Sequence, residues 1–171
     1  FLKSYINRLT GLTGYAPQDP KIGLAAFDTI WTNVDSYNKS LPGEESALAD
    51  YGRNLGIAFQ LIDDALDYGG TSAKLGKNVG DDFREGKMTL PVILAYARGS
   101  AEERTFWKAA IQGHRTSDKD LAHAIELIAR HDAVSETRER ARHFAQRAIN
   151  AIAVFPPSEA RAAMTEAAEF A

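Results

Sequence analysis

Tyr51-Gly-Arg-Asn-Leu-Gly-Ile-Ala-Phe-Gln-Leu-Ile-Asp-Asp-Ala-Leu-Asp-Tyr68 is the stretch on which the fold turns. Leu55, Ile57, Phe59, Leu61, Ile62 and Leu66 make it strongly apolar, and their spacing is helical rather than alternating. The reading is a helix over 44–68 that lays most of its surface against a core. It stops at Gly69-Gly70, where two glycines favour a helix end. On such a helix Asp63 and Asp67 lie one turn apart on one stripe, Asp64 borders that stripe, and Gln60 lies a turn earlier. Three carboxylates this close repel one another when no cation is present. At an effective dielectric of about 20, two unit charges about 5 Å apart cost roughly 3 kcal/mol. With so apolar a helix around them, the acids are expected to look inward or onto a cleft.

Hard oxygen donors without His or Cys suit Mg²⁺, which takes one or two carboxylates, several waters and substrate phosphates. A calcium EF-hand does not fit, because its loop ligands are absent and these acids sit within a helix. The triplet alone fits an acidic helix face that binds nothing equally well. The loop over 69–87 tips the balance. It holds Gly69, Gly70, Gly76, Gly80 and Gly86 together with Lys74, Lys77, Arg84 and Lys87, and it leaves the helix beside Asp67. Glycines let backbone N–H groups approach an anion, and lysines supply point charges for phosphate oxygens. A row of acids beside such a loop is what a diphosphate bridged to Mg²⁺ requires. The loop contains no Walker sequence.

Around this centre two compositional regimes meet near Leu41-Pro42-Gly43. Residues 1–42 are rich in Thr, Asn, Tyr and Gly, with turn-prone patches at 11–14 and 17–20 and one amphipathic stretch at 23–34. They are set apart as an unassigned segment, and 43–171 as one all-α domain. Past the loop, Pro91 sits just inside a helix that reaches Arg98 before Gly99. Ser100 and Glu103 have capping-box spacing for a helix to about Ile111, and Ser117 with Asp118 and Asp120 opens another to Arg130. A longer helix over 134–154 ends at Pro156-Pro157, and Ser158 starts the last one. Nothing alternates with period two over a strand length. The arginines at 138, 140, 142 and 147 are interleaved with acids and read as a solvated helix face.

Composition closes several doors. A net charge of −3 argues against a nucleic-acid surface, and the lack of cysteine excludes disulfides, thiol catalysis and zinc–thiolate sites. No run approaches the roughly 20 apolar residues of a membrane span, and no leader-like segment opens the chain. A cytoplasmic protein is the expectation.

The run 51–68 resembles the second aspartate-rich motif of the trans-type isoprenyl diphosphate synthases, G-x-x-F-Q-x-x-D-D-x-x-D, here starting at Gly56. The following Leu75-Gly-Lys-Asn-Val-Gly-Asp-Asp-Phe-Arg-Glu-Gly-Lys-Met-Thr-Leu-Pro91 is similar to that family's G-K-x-x-G-x-D-[LF]-x-E-G-K-x-T-L-P block. The octaprenyl and decaprenyl branch gives the nearest likeness. The resemblance runs from about Leu41 onward and implies the C-terminal half of a polyprenyl diphosphate synthase, built as an isoprenoid-synthase helical bundle. Such prenyltransferases add isopentenyl diphosphate to an allylic diphosphate. Ionisation of the allylic C–O bond gives a carbocation that the C=C of isopentenyl diphosphate attacks, and Mg²⁺ with lysines stabilises the departing diphosphate. Carried over by position, Asp63, Asp64 and Asp67 bind Mg²⁺, directly or through water. Lys77 contacts the allylic diphosphate and completes a catalytic group with Asp63 and Asp64, while Gln60 supports the site from the preceding turn. Asp82 and Lys87 match the acid and lysine of the second block, as diphosphate contacts or as a local ion pair. A homodimer follows by analogy.

The likeness also breaks. The family's first aspartate-rich motif does not occur, since residues 1–42 hold only Asp19, Asp28 and Asp35, too widely spaced for the role. The implication is that this chain by itself does not catalyse chain elongation. Two alternatives stay open: a helical interaction subunit derived from the family without catalysis, and a terpene-synthase-like diphosphate-binding protein. The two linked blocks speak for the prenyltransferase over the terpene synthase.

Overall fold

Seven α-helices make up the described part of the chain, which in the computed structural model is residues 43–69, 79–112 and 117–170. They are α1 (Gly43–Gly69), α2 (Asp81–Arg84), α3 (Leu90–Arg98), α4 (Ala101–Gln112), α5 (Asp118–Arg130), α6 (Ala133–Ala151) and α7 (Glu159–Phe170). A 3₁₀ turn, Ile152–Val154, carries α6 toward α7. No strand occurs among the described residues, and the fold is all-α as its periodicity predicts. The chain divides into two compact units after Ser46, within the first turn of α1, and both the core and the acid row belong to the unit Ala47–Ala171.

Helix ends follow local chemistry. The Ser100–Glu103 capping box closes in both directions: Glu103 accepts from the Ser100 N–H at 2.8 Å, and the Glu103 N–H donates to the Ser100 hydroxyl at 3.3 Å. Ser117 caps α5 by accepting from the Asp120 N–H at 3.2 Å, and Ser158 accepts from the Arg161 N–H at 3.2 Å ahead of α7. Pro91 occupies the first turn of α3, where its missing N–H costs nothing. One expectation needs correction. Residues 81–84, read as part of a continuous loop, form the short helix α2. The amphipathic stretch 23–34, Lys74 and Lys77 lie outside the described residues.

The core falls into two clusters. The larger joins Tyr68 of α1 and Phe83 of α2 to Val92, Trp107, Leu127 and Ile128. Phe83 and Trp107 are fully buried and meet edge to face, ring centroids 6.3 Å apart. The smaller cluster gathers Tyr51, Ala148, Ile152 and Ala168, and across it the Tyr51 hydroxyl donates to the Met164 carbonyl at 2.8 Å. Glu103 ties α4 to the end of α5, accepting from Arg130 at 2.6 Å and facing the His131 ring at 2.9 Å. Its carboxyl is held down to about 2, first by the Ser100 N–H and then by His131.

Helix α1 does not bury most of its surface, contrary to the reading from its apolar content. One stripe is covered, through Tyr51, Ile57, Ala58, Leu61 and Ala65. The opposite side leaves Leu48 48%, Phe59 47% and Leu66 39% exposed, with Gly52 and Gly56 between them facing open space.

Candidate functional site

The last turns of α1 sort the three acids by depth. Asp63 is exposed, Asp67 is partly buried, and Asp64 belongs to the covered stripe at 8% exposure. A single residue step of about 100° on the helix makes this difference. Gln60 supports the buried member: its side-chain amide donates to Asp64 Oδ1 at 2.8 Å. Burial pushes the Asp64 carboxyl up to about 6, and the negative charges of Asp82 and Asp63 push the same way. The Gln60 amide and the Leu90 N–H at the start of α3 oppose that rise.

Asp67 faces the returning chain. Its Oδ1 accepts from the Asp81 N–H and its Oδ2 from the Asp82 N–H, both at 3.1 Å, while its main-chain carbonyl accepts from the Gly80 N–H at 3.0 Å. Burial raises this carboxyl, the Asp82 charge adds to the rise, and the two amides pull against it. The chain turns into α2 at Gly80, whose φ of 82° lies in the left-handed region. A Cβ there would stand 2.2 Å from Leu121 Cδ1, so both the turn and the packing demand glycine. Phe83 then plugs α2 into the core.

The second block of the motif lies alongside. The ammonium of Lys87 pairs with Asp82 at 2.7 Å and Glu85 at 2.9 Å, and these acids hold its proton more tightly than usual. The local ion pair, one of the two roles open to these residues, is therefore formed. Sequence reasoning missed the Tyr68 and Thr89 hydroxyls, buried near each other with Tyr68 also feeling Asp67, Asp82 and Asp64. Both residues stood inside the two motifs, and only their burial marks them out. Of the expected site residues, the structure joins Gln60 to Asp64, the Asp67 carboxylate to the backbone of Asp82, and Asp82 to Lys87. Asp63 stands on the exposed side of the row, and Lys77 lies outside the described residues.

The donors that α1 offers a cation are all oxygens, which suits Mg²⁺. Among the described residues no three acids or histidines converge into a cage. The chemistry of these donors fits an ion held by one or two carboxylates, with water and phosphate completing its shell, which is the habit of Mg²⁺.

Known proteins share this arrangement of helices. The solved structure of a polyprenyl synthase from Caulobacter crescentus, complexed with calcium and isoprenyl diphosphate, is 49% identical and superposes with a TM-score of 0.69 over 76% of this chain and 40% of that one. A decaprenyl diphosphate synthase structure from Rhodobacter capsulatus is 45% identical, with a TM-score of 0.69 over 75% of this chain and 39% of that one. The octaprenyl diphosphate synthase of Escherichia coli is 42% identical over 130 residues, 76% of this chain and 40% of its own length. That of Haemophilus influenzae is 42% identical over 71% of this chain and 36% of its own. The fold is thus the all-α isoprenoid synthase type. Residues 34–128 match the polyprenyl synthetase family, and the chain belongs to it. The match opens upstream of the start expected near Leu41. The chain spans between about a quarter and two-fifths of the length of the curated relatives it matches.

Proposed function

We propose that this chain is the C-terminal, diphosphate-binding part of a trans-polyprenyl diphosphate synthase, acting with Mg²⁺ on an allylic diphosphate and isopentenyl diphosphate. The observation that carries this is the Asp63–Asp64–Asp67 row at the end of α1, with the 79–87 segment folded back onto its third member. Asp63 and Asp64 would hold the cation, with Gln60 fixing the Asp64 carboxylate. Bound Mg²⁺ supplies Lewis acidity toward a departing diphosphate. The chain's own residues orient that anion and exclude water from one side of it. Buried Asp64 keeps its oxygen in place, and Lys77 and Lys87 stand on the loop that follows as point charges for phosphate oxygens. The calcium and isoprenyl diphosphate held by the Caulobacter crescentus relative support the same ligand chemistry. A cytoplasmic homodimer is the assembly expected of it. No helix among the described residues is long and apolar enough to cross a membrane.

With a single acid row the chain holds part of such a site, and we expect no elongation from it alone. Purified chain incubated with Mg²⁺, farnesyl diphosphate and labelled isopentenyl diphosphate should give no extractable long-chain product above a boiled control. Calorimetry should show Mg²⁺-dependent pyrophosphate binding that Asp63→Ala abolishes, and equal heats for the two proteins would sink the reading. One observation favours a second reading, a non-catalytic interaction subunit: the uncovered apolar side of α1 at Leu48, Phe59 and Leu66. Thermal stability unchanged by Mg²⁺ and pyrophosphate together would select it.

A further inference from the structure

We propose that Asp67 is a positioning residue for the 79–87 segment, a claim that refines the diphosphate reading above and rests on it. Three consecutive backbone amides converge on this one residue: Gly80 on its carbonyl, Asp81 on Oδ1 and Asp82 on Oδ2. α2 is four residues long, and its leading N–H groups have no partner inside it. A capping side chain normally comes from the residue just before the helix. Gly80 stands there and has none, so the acceptors come from a carboxylate fourteen positions earlier.

The consequence reaches the charged groups of the second block. The Lys87 N–H donates to the Asp82 carbonyl at 2.8 Å, and the Lys87 ammonium to the Asp82 carboxylate at 2.7 Å. By fixing the backbone at 81 and 82, Asp67 sets where that pair stands relative to α1. The amides at 80, 81 and 82 all lead to Asp67, so this one residue of the row fixes the course of the returning chain.

The test compares wild type with Asp67→Ala, Asp67→Asn and Asp63→Ala. Amide hydrogen exchange at Asp81 and Asp82 is read in metal-free buffer, and Mg²⁺-dependent pyrophosphate binding by calorimetry. Asp67→Ala should speed exchange at both amides by about fivefold to thirtyfold, the range for loss of a helix cap, and weaken pyrophosphate binding. Asp67→Asn keeps one acceptor oxygen and should recover most of both. Asp63→Ala should leave the amides protected and abolish binding. Amides still protected in Asp67→Ala would overturn the proposal, as would pyrophosphate binding lost as fully in Asp67→Asn as in Asp63→Ala. If wild type binds no pyrophosphate, the diphosphate reading fails, and the exchange comparison decides the positioning role by itself.

Discussion

The Lys87 ammonium stands 2.7 Å from Asp82 Oδ1, so the lysine of the second block is already engaged by an acid of that same block. Lys87 is exposed and Asp82 mostly covered. A half-exposed pair of this kind is worth about 0.2–1 kcal/mol. A double-mutant cycle with Asp82→Asn and Lys87→Met, read by urea denaturation, should give a coupling in that range at low salt. At about 1 M salt, where the screening length is near 3 Å, the coupling should fall toward zero. Coupling well above 1 kcal/mol, or insensitive to salt, would mean the pair is more than a local loop contact.

Asp64 makes stability depend on pH in a stated direction. Its folded carboxyl is pushed up to about 6 from an ordinary value of 3.8. Below the lower value the group is protonated in both states and costs nothing. As pH rises past 4 and through 6 the unfolded chain ionises first, and the folded chain loses stability relative to it. The full difference is on the order of 3 kcal/mol. In metal-free buffer Asp64→Asn should therefore gain on wild type between pH 4 and 7 and stay level with it below 4. A gap that is constant across the interval, or that narrows as pH rises, would contradict the assignment.

Phe83 is what fastens α2 to the body of the protein. Fully buried against Trp107, it should cost about 3–5 kcal/mol when truncated to alanine, since the cavity sits in the middle of the larger cluster. Equilibrium denaturation measures this directly. A loss under 1 kcal/mol would show that α2 is not anchored by its aromatic.

Gly52 and Gly56 sit in the interior of α1, and beyond the helix's own nearby backbone nothing lies within 4 Å of where a Cβ would stand on either. Glycine in such a place weakens a helix, so Gly52→Ala and Gly56→Ala should each raise stability by about 0.5–1 kcal/mol. Thermal melts of the single and double variants check this, and a drop would reveal a close neighbour to that face.

The helix ends were legible because their chemistry is local. Ser100 and Glu103, Ser117 and Asp120, and Pro91 each act on residues within four positions. α2 was hidden because its cause is distant: Asp67 supplies its cap and Phe83 its anchor, and neither is visible in Asp81-Asp-Phe-Arg84 taken alone. The acid row was readable as a row. Which acid is covered was not, because that depends on the side of α1 that meets the rest of the bundle, and only tertiary packing chooses it. The exposure of Phe59 and Leu66 misled for the same reason, since apolar content indicates what can be covered and not what is.

The bond between Tyr51 and Met164 also has a bearing on the order of events during biosynthesis. It spans 113 positions, and the smaller cluster around it needs Ala168 as well as Tyr51. On a ribosome adding about 5–20 residues per second, α1 waits until Met164 and Ala168 have been made before that part of its covered side can close. Until then Tyr51 is open to solvent and to chaperones, and a transcript cut short before α7 would leave it so permanently.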